Sequence, residues 1–269
     1  MAVLGRDLCL ARIHQAEESL TKLGYVGNIA MEIDDPKIVA LREKVTAAQQ
    51  EFDMAVTFHE VWKPAAYDKD LHSRLGNSYA TQAFLITRTA LRREMLLALI
   101  RLWDKDRRAI GMQSIAATLH EKEVIDALAL DRVNRPGIPE DIYEIMRNDL
   151  RKRADEAVLL VDKYIEGGAN HVIFKKLLAL RHERLAHYQL APATATPTGT
   201  NATDEEIEEF YQDNSKLIHL LLSVVSAMAY DPQDTAKVYS HYARCFWERV
   251  TKRLPASQSD VQQLELPGR

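Results

Sequence analysis

The chain has 269 residues, 46% hydrophobic and 28% charged, which is enough apolar material for a substantial core and excludes disorder over most of its length. A formal net charge of −4 excludes a generally basic nucleic-acid-binding surface and leaves a local basic groove as the remaining route to such ligands. Cys9 and Cys245 lie at opposite ends without metal-ligand spacing, no secretory pattern opens the chain, and no apolar run approaches the about 20 residues of a membrane span. The expectation is a cytoplasmic protein with free thiols, no metal, no cofactor and no membrane partner.

Apolar residues recur at three- and four-residue steps and nowhere alternate over a sustained stretch, which predicts an all-α protein. A first helix is expected over residues 7–23, closed by the segment 24–28. The next opens at Asp35-Pro36, with aspartate as N-cap and proline in the first turn, and is expected to reach Trp62 before Pro64 stops it. Residues 68–104 predict one core helix whose centre, residues 95–100, is apolar all round. Ser114 is expected to cap a shorter helix to Leu130, after which Asn134-Arg135-Pro136-Gly137 turns the chain.

Pro139 opens a charged helix ending at Gly167-Gly168, and Asn170 caps another that ends near Leu190. Residues 191–202, rich in Ala, Thr, Pro and Gly, read as a flexible loop. Thr203 with Glu206 forms a capping box for a helix carrying Ile207, Phe210, Leu217, Leu221, Val224 and Met228, a stripe that Asn214 interrupts. After Asp231-Pro232 a last helix carries Val238, Tyr242, Cys245, Phe246 and Val250. The sum is an elongated antiparallel helical bundle of about seven to eight helices: residues 1–66 as an N-terminal helical appendage, 67–254 as the bundle, and 255–269 as a disordered tail.

On the helix opened by Asn170, Phe174, Leu177, Leu178, Leu185 and Tyr188 fall on one side, and Arg181 falls at its centre. A guanidinium on an apolar face needs a carboxylate, a set of carbonyls or an anion in a wet cleft. Arg184 and His187 follow at three-residue steps, so a cation clamp and a group titrating near neutrality share one edge. Two structural alternatives stay open: Arg181 in a buried ion pair, and His187 as a cation at the helix C-terminus.

Other charged stretches read more plainly. His171, Lys175 and Lys176, with Arg147, Arg151, Lys152 and Arg153, could form a basic strip toward RNA, but the interspersed Asp149, Asp155 and Glu156 favour a solvated face. The acidic block of Asp204, Glu205, Glu206, Glu208 and Glu209 suits a helix N-terminus and is expected to do nothing more. His182 and His187 point to different sides of a helix, which argues against zinc there. No glycine-rich phosphate loop or nucleophile motif occurs.

Arg181 followed after five residues by His187, with polar His182 directly after the arginine and Ala186 before the histidine, resembles the signature of the HEPN superfamily (higher eukaryotes and prokaryotes nucleotide-binding). The stretch from Leu91 to Asp106, a core helix ending in Trp103-Asp104 and followed by Ser114-Ile115, resembles the abortive-infection branch of that superfamily. The resemblance implies a metal-independent ribonuclease acting as a homodimer on RNA, in phage defence or a toxin–antitoxin system, with an antitoxin or regulatory partner. Arg181 and His187 would then be the catalytic pair at the dimer cleft, Arg184 and His182 phosphate or RNA contacts, and Asp104 and Glu183 supporting carboxylates. The rival expectation is a non-catalytic interaction module of the same fold, in which the pair is structural.

Overall fold

Helix α1 (Pro36–Tyr67) starts as the sequence dictates: the Asp35 carboxylate accepts the Lys37 N–H at 2.8 Å, and Pro36 takes the first turn, where a missing N–H costs nothing. It does not stop before Pro64. The helix runs through that proline to Tyr67, because a proline so near the C-terminus removes a single bond while the burial of Trp62 and Ala65 holds the last turn in place. The computed structural model describes residues 35–76, 79–106, 109–135, 139–180 and 202–250. The helix expected over 7–23, the segment 181–201 and the tail from 255 lie outside these residues.

The single helix expected over 68–104 is two. Asp68 caps α2 (Lys69–Leu75) through the Asp70 and Leu71 N–H groups, Gly76 at φ 52 ends it, and α3 (Tyr79–Arg101) follows with Met95, Leu96, Ala98, Leu99 and Ile100 buried. The helix expected from Ser114 to Leu130 also divides, into α4 (Met112–His120) and α5 (Lys122–Val133), with Glu121 extended between them. Helix α4 starts ahead of Ser114, with Gly111 at φ 62 in the capping position, and the Ser114 hydroxyl instead accepts the Lys44 ammonium at 2.8 Å.

A 3-10 turn (Glu140–Ile142) leads into α6 (Tyr143–Asp162), followed by α7 (His171–Leu180). The expected capping box is present at α8 (Asp204–Leu221): the Thr203 hydroxyl accepts the Glu206 N–H, and the Glu206 carboxylate accepts the Thr203 N–H. A π turn (Leu222–Ser226) closes that helix short of Met228. Ala227 is left-handed at φ 54, and the Arg132 guanidinium donates to the Ser223 and Val224 carbonyls. Among the described residues there are nine α-helices and no strand, so the all-α expectation holds. No described helix is long and apolar enough to cross a membrane.

Helix α1 is the axis of packing. Helices α3, α8 and α9 (Pro232–Val250) lie against it, and Ile38, Leu41, Val45, Phe52 and Val56 are buried in the main core. The expected boundary at 66/67 thus falls at the end of a core helix. Helix α9 turns a different face inward than its apolar stripe suggested. Ala243 and Trp247 are buried, with the indole N–H donating to the Val61 carbonyl at 2.9 Å, while Val238, Tyr242, Phe246 and Val250 are about half exposed. Small Ala243 permits a close approach to α1, and Trp247 with Phe84, Leu71 and Ala65 forms a satellite core.

The turn between α6 and α7 sets the start of α7. The Asn170 N–H reaches the Lys163 carbonyl at 2.8 Å, and a Cβ on Gly168 would lie 2.0 Å from the Asp162 carbonyl oxygen and 2.6 Å from that of Lys163. Gly168→Ala should therefore cost roughly 3 kcal/mol, read as a lower urea midpoint at unchanged slope. Gly167→Ala, at φ 89 but with nothing within 4 Å, should cost only about 1 kcal/mol.

Candidate functional site

Helix α7 leads directly to the Arg181 motif, and its first two turns are fixed by an aromatic cluster. Trp103, in the turn after α3, packs against Phe174 of α7 at a ring separation of 5.3 Å, Tyr164 at 5.5 Å and Phe210 of α8 at 5.8 Å. A buried indole N–H needs an acceptor. It finds one in Asn214, whose Oδ1 lies 2.9 Å away and whose Nδ2 donates to the Phe210 carbonyl at 2.7 Å. That explains why a polar residue breaks the apolar stripe of α8. It also joins the two stretches that carry the HEPN resemblance, since Trp103 belongs to one and Phe174 leads into the other.

A polar collar surrounds this cluster. The Tyr164 hydroxyl donates to Asp213 at 2.6 Å, and Lys163 donates to the same carboxylate at 2.6 Å and to Glu209 at 2.8 Å, which also accepts from Asn170 at 2.8 Å. Burial, and then the neighbouring Asp213 carboxylate, push the Tyr164 phenol far above its ordinary value, so it stays a neutral donor. Burial opposes the charge on Lys163, but its hydrogen bonds to Asp213 and Glu209 outweigh that and raise its pKa.

The acidic block on α8 thus does more than cap its helix. Asp204 accepts from Arg92 of α3 at 2.7 Å, Glu206 from Lys176 of α7, Glu208 faces His59 of α1, and Glu209 takes Lys163. Four carboxylates of one helix end meet three cations and a histidine from four other segments. Most of the expected basic strip is likewise committed: Arg147 to Asp126, Arg151 to the Leu119 carbonyl, Arg153 to Asp149 and Lys176 to Glu206.

Lys175 differs. With His171, Phe174 and Leu178 it lines a cavity of about 590 Å³ on the outer side of α7, opposite Gln113 and His120 of α4. A second cavity of about 370 Å³ adjoins it through Lys105 and Gln113, and Asp104, Gly111 and Ser114 belong to its wall. The Asp104 carboxylate accepts the Asp106 N–H at 3.1 Å, and its carbonyl oxygen would lie 3.3 Å from a Cβ on Gly111. Of the expected site residues, the structure describes only Asp104, one cavity away from the face of α7. Arg181, His182, Glu183, Arg184 and His187 begin one residue beyond Leu180 and lie outside the described residues. Among the described residues no group of three or more His, Cys, Asp or Glu could hold a metal ion.

Residues 38–246 match the family model HEPN_AbiU2, described as AbiU2. The chain belongs to the AbiU2 family of HEPN proteins, in the abortive-infection branch. No curated protein and no solved structure matches it. In this AbiU2 chain the match opens inside α1 and closes inside α9, so both the Trp103-Asp104 turn and the residues from Arg181 to His187 fall within it.

The AbiU2 chain holds a second cluster, centred on a histidine of α1. His59 of α1 is buried, with Nδ1 3.0 Å from Glu60, Nε2 2.9 Å from Glu208, and its ring stacked on Tyr211 at 3.9 Å. Its signal was present: His59 continues the buried stripe of Phe52, Ala55, Val56 and Trp62, and a histidine there needs a partner. Burial disfavours the imidazolium, but Glu208 and Glu60 more than offset it and raise the pKa. The hydrogen bond from His59 in turn holds the Glu208 carboxyl down at about 2.

Two outcomes follow. Asn214→Leu should cost roughly 2 kcal/mol by stranding the Trp103 N–H, and in a urea double-mutant cycle with Trp103→Phe the two changes should be non-additive by about 1 kcal/mol. The His59–Glu208 pair works in opposite directions with pH. The raised His59 contributes stability that is full below about pH 6.5 and is lost as pH rises through its folded value. The depressed Glu208 contributes above the ordinary carboxylate range and loses this as pH falls toward about 2. Melting temperature should therefore fall as pH rises from about 6.5 more steeply in the unmodified chain than in Glu208→Gln. Parallel curves would remove the pair from the account.

Proposed function

We propose that this AbiU2 chain is a metal-independent endoribonuclease of the abortive-infection or toxin–antitoxin type, acting at a homodimer cleft through Arg181 and His187. Membership of the HEPN AbiU2 family, with both residues inside the matched range, carries this reading. Two features support it. Helix α7 is anchored through Phe174 to the Trp103–Asn214 cluster, which gives the motif a rigid approach. Lys105 and Lys175, which make no ion pair among the described residues, leave uncommitted positive charge along the adjoining groove.

In this reading His187 moves the proton of the ribose 2′-hydroxyl, and Arg181 stabilises the charge that develops on the phosphorane. Arg184 and His182 hold flanking phosphates. Asp104 and Glu183 orient the pair, and an antitoxin or regulatory partner restrains the activity in the cytoplasm.

Purified full-length protein incubated with RNA in the presence of a chelator should cleave it. Arg181→Ala and His187→Ala should each lower the rate by about 100-fold or more at unchanged melting temperature. Cleavage that persists in both variants would overturn the catalytic assignment. So would a loss of several kcal/mol of stability in both, which is the behaviour of a structural ion pair in a non-catalytic module.

A further inference from the structure

The face of α9 that points away from α1 carries more than apolar side chains. His241 and Cys245 are both exposed there, one helical turn apart, with Nε2 3.7 Å from Sγ. A tetrahedral zinc with bonds of about 2.3 Å to sulfur and about 2.0–2.1 Å to nitrogen sets these atoms about 3.6 Å apart. The pair already has the bite of two zinc ligands. It is also incomplete, since zinc in a structural site takes four, and no described residue extends the pair to a group of three.

Val238 and Tyr242 flank the pair, with Tyr242 58% exposed, and the stripe continues around the helix through Phe246 and Val250. This stripe is about 18 Å long at the rise of an α-helix. It is apolar enough to be covered but much smaller than the roughly 800 Å² per partner of an interface that stands by itself. A two-fold axis beside His241 and Cys245 resolves both shortages at once, because the same pair from a second copy completes a His2Cys2 set and the stripes cover each other.

We propose that α9 is half of a zinc site shared by two copies of this chain, with His241 and Cys245 as the ligands from each. On binding, each Cys245 thiol releases its proton to solvent and coordinates as thiolate, while each His241 coordinates through neutral Nε2. The metal is structural and this interface is independent of the ribonuclease reading, so neither stands or falls with the other.

The test uses the full chain, stripped with chelator, kept under reductant and titrated with zinc. Its mass by light scattering should at least double from the stripped value with one zinc taken up per two chains, and cobalt in place of zinc should give the intense visible bands of a tetrahedral thiolate site. His241→Ala and Cys245→Ser, both on an exposed helix face, should fold normally and abolish both signals. Phe246→Glu should weaken the doubling at least tenfold in protein concentration, and Cys9→Ser should change nothing. A mass indifferent to zinc overturns the proposal. So does uptake of one zinc per chain at constant mass that is lost in Cys9→Ser, which would mean that Cys9 and His14 of the same chain complete the set.

Discussion

The hydrogen bond from the Trp103 indole to Asn214 is the constraint from which the rest of the bundle is arranged. Four segments meet at Trp103: the end of α3, the turn at Tyr164, the start of α7, and the middle of α8. An aromatic ring large enough to fill that junction brings an N–H that must not be buried alone. On the facing side of α8 a side-chain amide lies within reach of the indole. Asn214 supplies it, and its amide is fixed in turn by donating to the Phe210 carbonyl one turn earlier. With both ends tied, the indole has one orientation, Phe174 packs against it, and the direction in which α7 leaves the core is determined.

Around this dry centre the ionic collar has a different task. Ion pairs with partly exposed members add little net stability each. Their value lies in placement: Lys163 bridges Asp213 and Glu209, Lys176 takes Glu206, and Arg92 takes Asp204, so α6, α7 and α3 each have a fixed position along α8. The aromatic contacts draw the segments together, and the charges decide how far along one another they sit. His59 belongs to both systems, since its ring stacks on Tyr211 in the interior while its nitrogens reach carboxylates on α1 and α8.

What the sequence made legible was local. The Asp35-Pro36 start, the Thr203–Glu206 capping box and the all-apolar centre of α3 depend on neighbours three or four residues away, and each appears as read. Asn214 could be recognised as an interruption, but its partner is 111 residues distant. Pro64 and Ser114 misled because a breaker and a capping residue state a preference of a few kcal/mol at most, which tertiary burial overrides. Helix α9 failed differently: its period was right, but two faces satisfied it, and the choice rested on Ala243 being small enough to let α1 approach. At the level of side-chain clusters the sequence missed His59, because one of its two carboxylates, Glu208, comes from a block that looked complete as a helix cap.

The distribution of spent and unspent charge bears on how an acidic chain could engage a polyanion. Nearly every cation around α8 is neutralised by a specific carboxylate, so those residues cannot release counterions to a phosphate backbone without breaking a pair. Lys105 and Lys175 are outside that scheme, and both line the cavities beside α7. A ligand approaching there meets only a few available positive charges, too few for affinity by electrostatic attraction in general. A polyanion at this face would therefore be held by close contacts at particular atoms rather than by net charge.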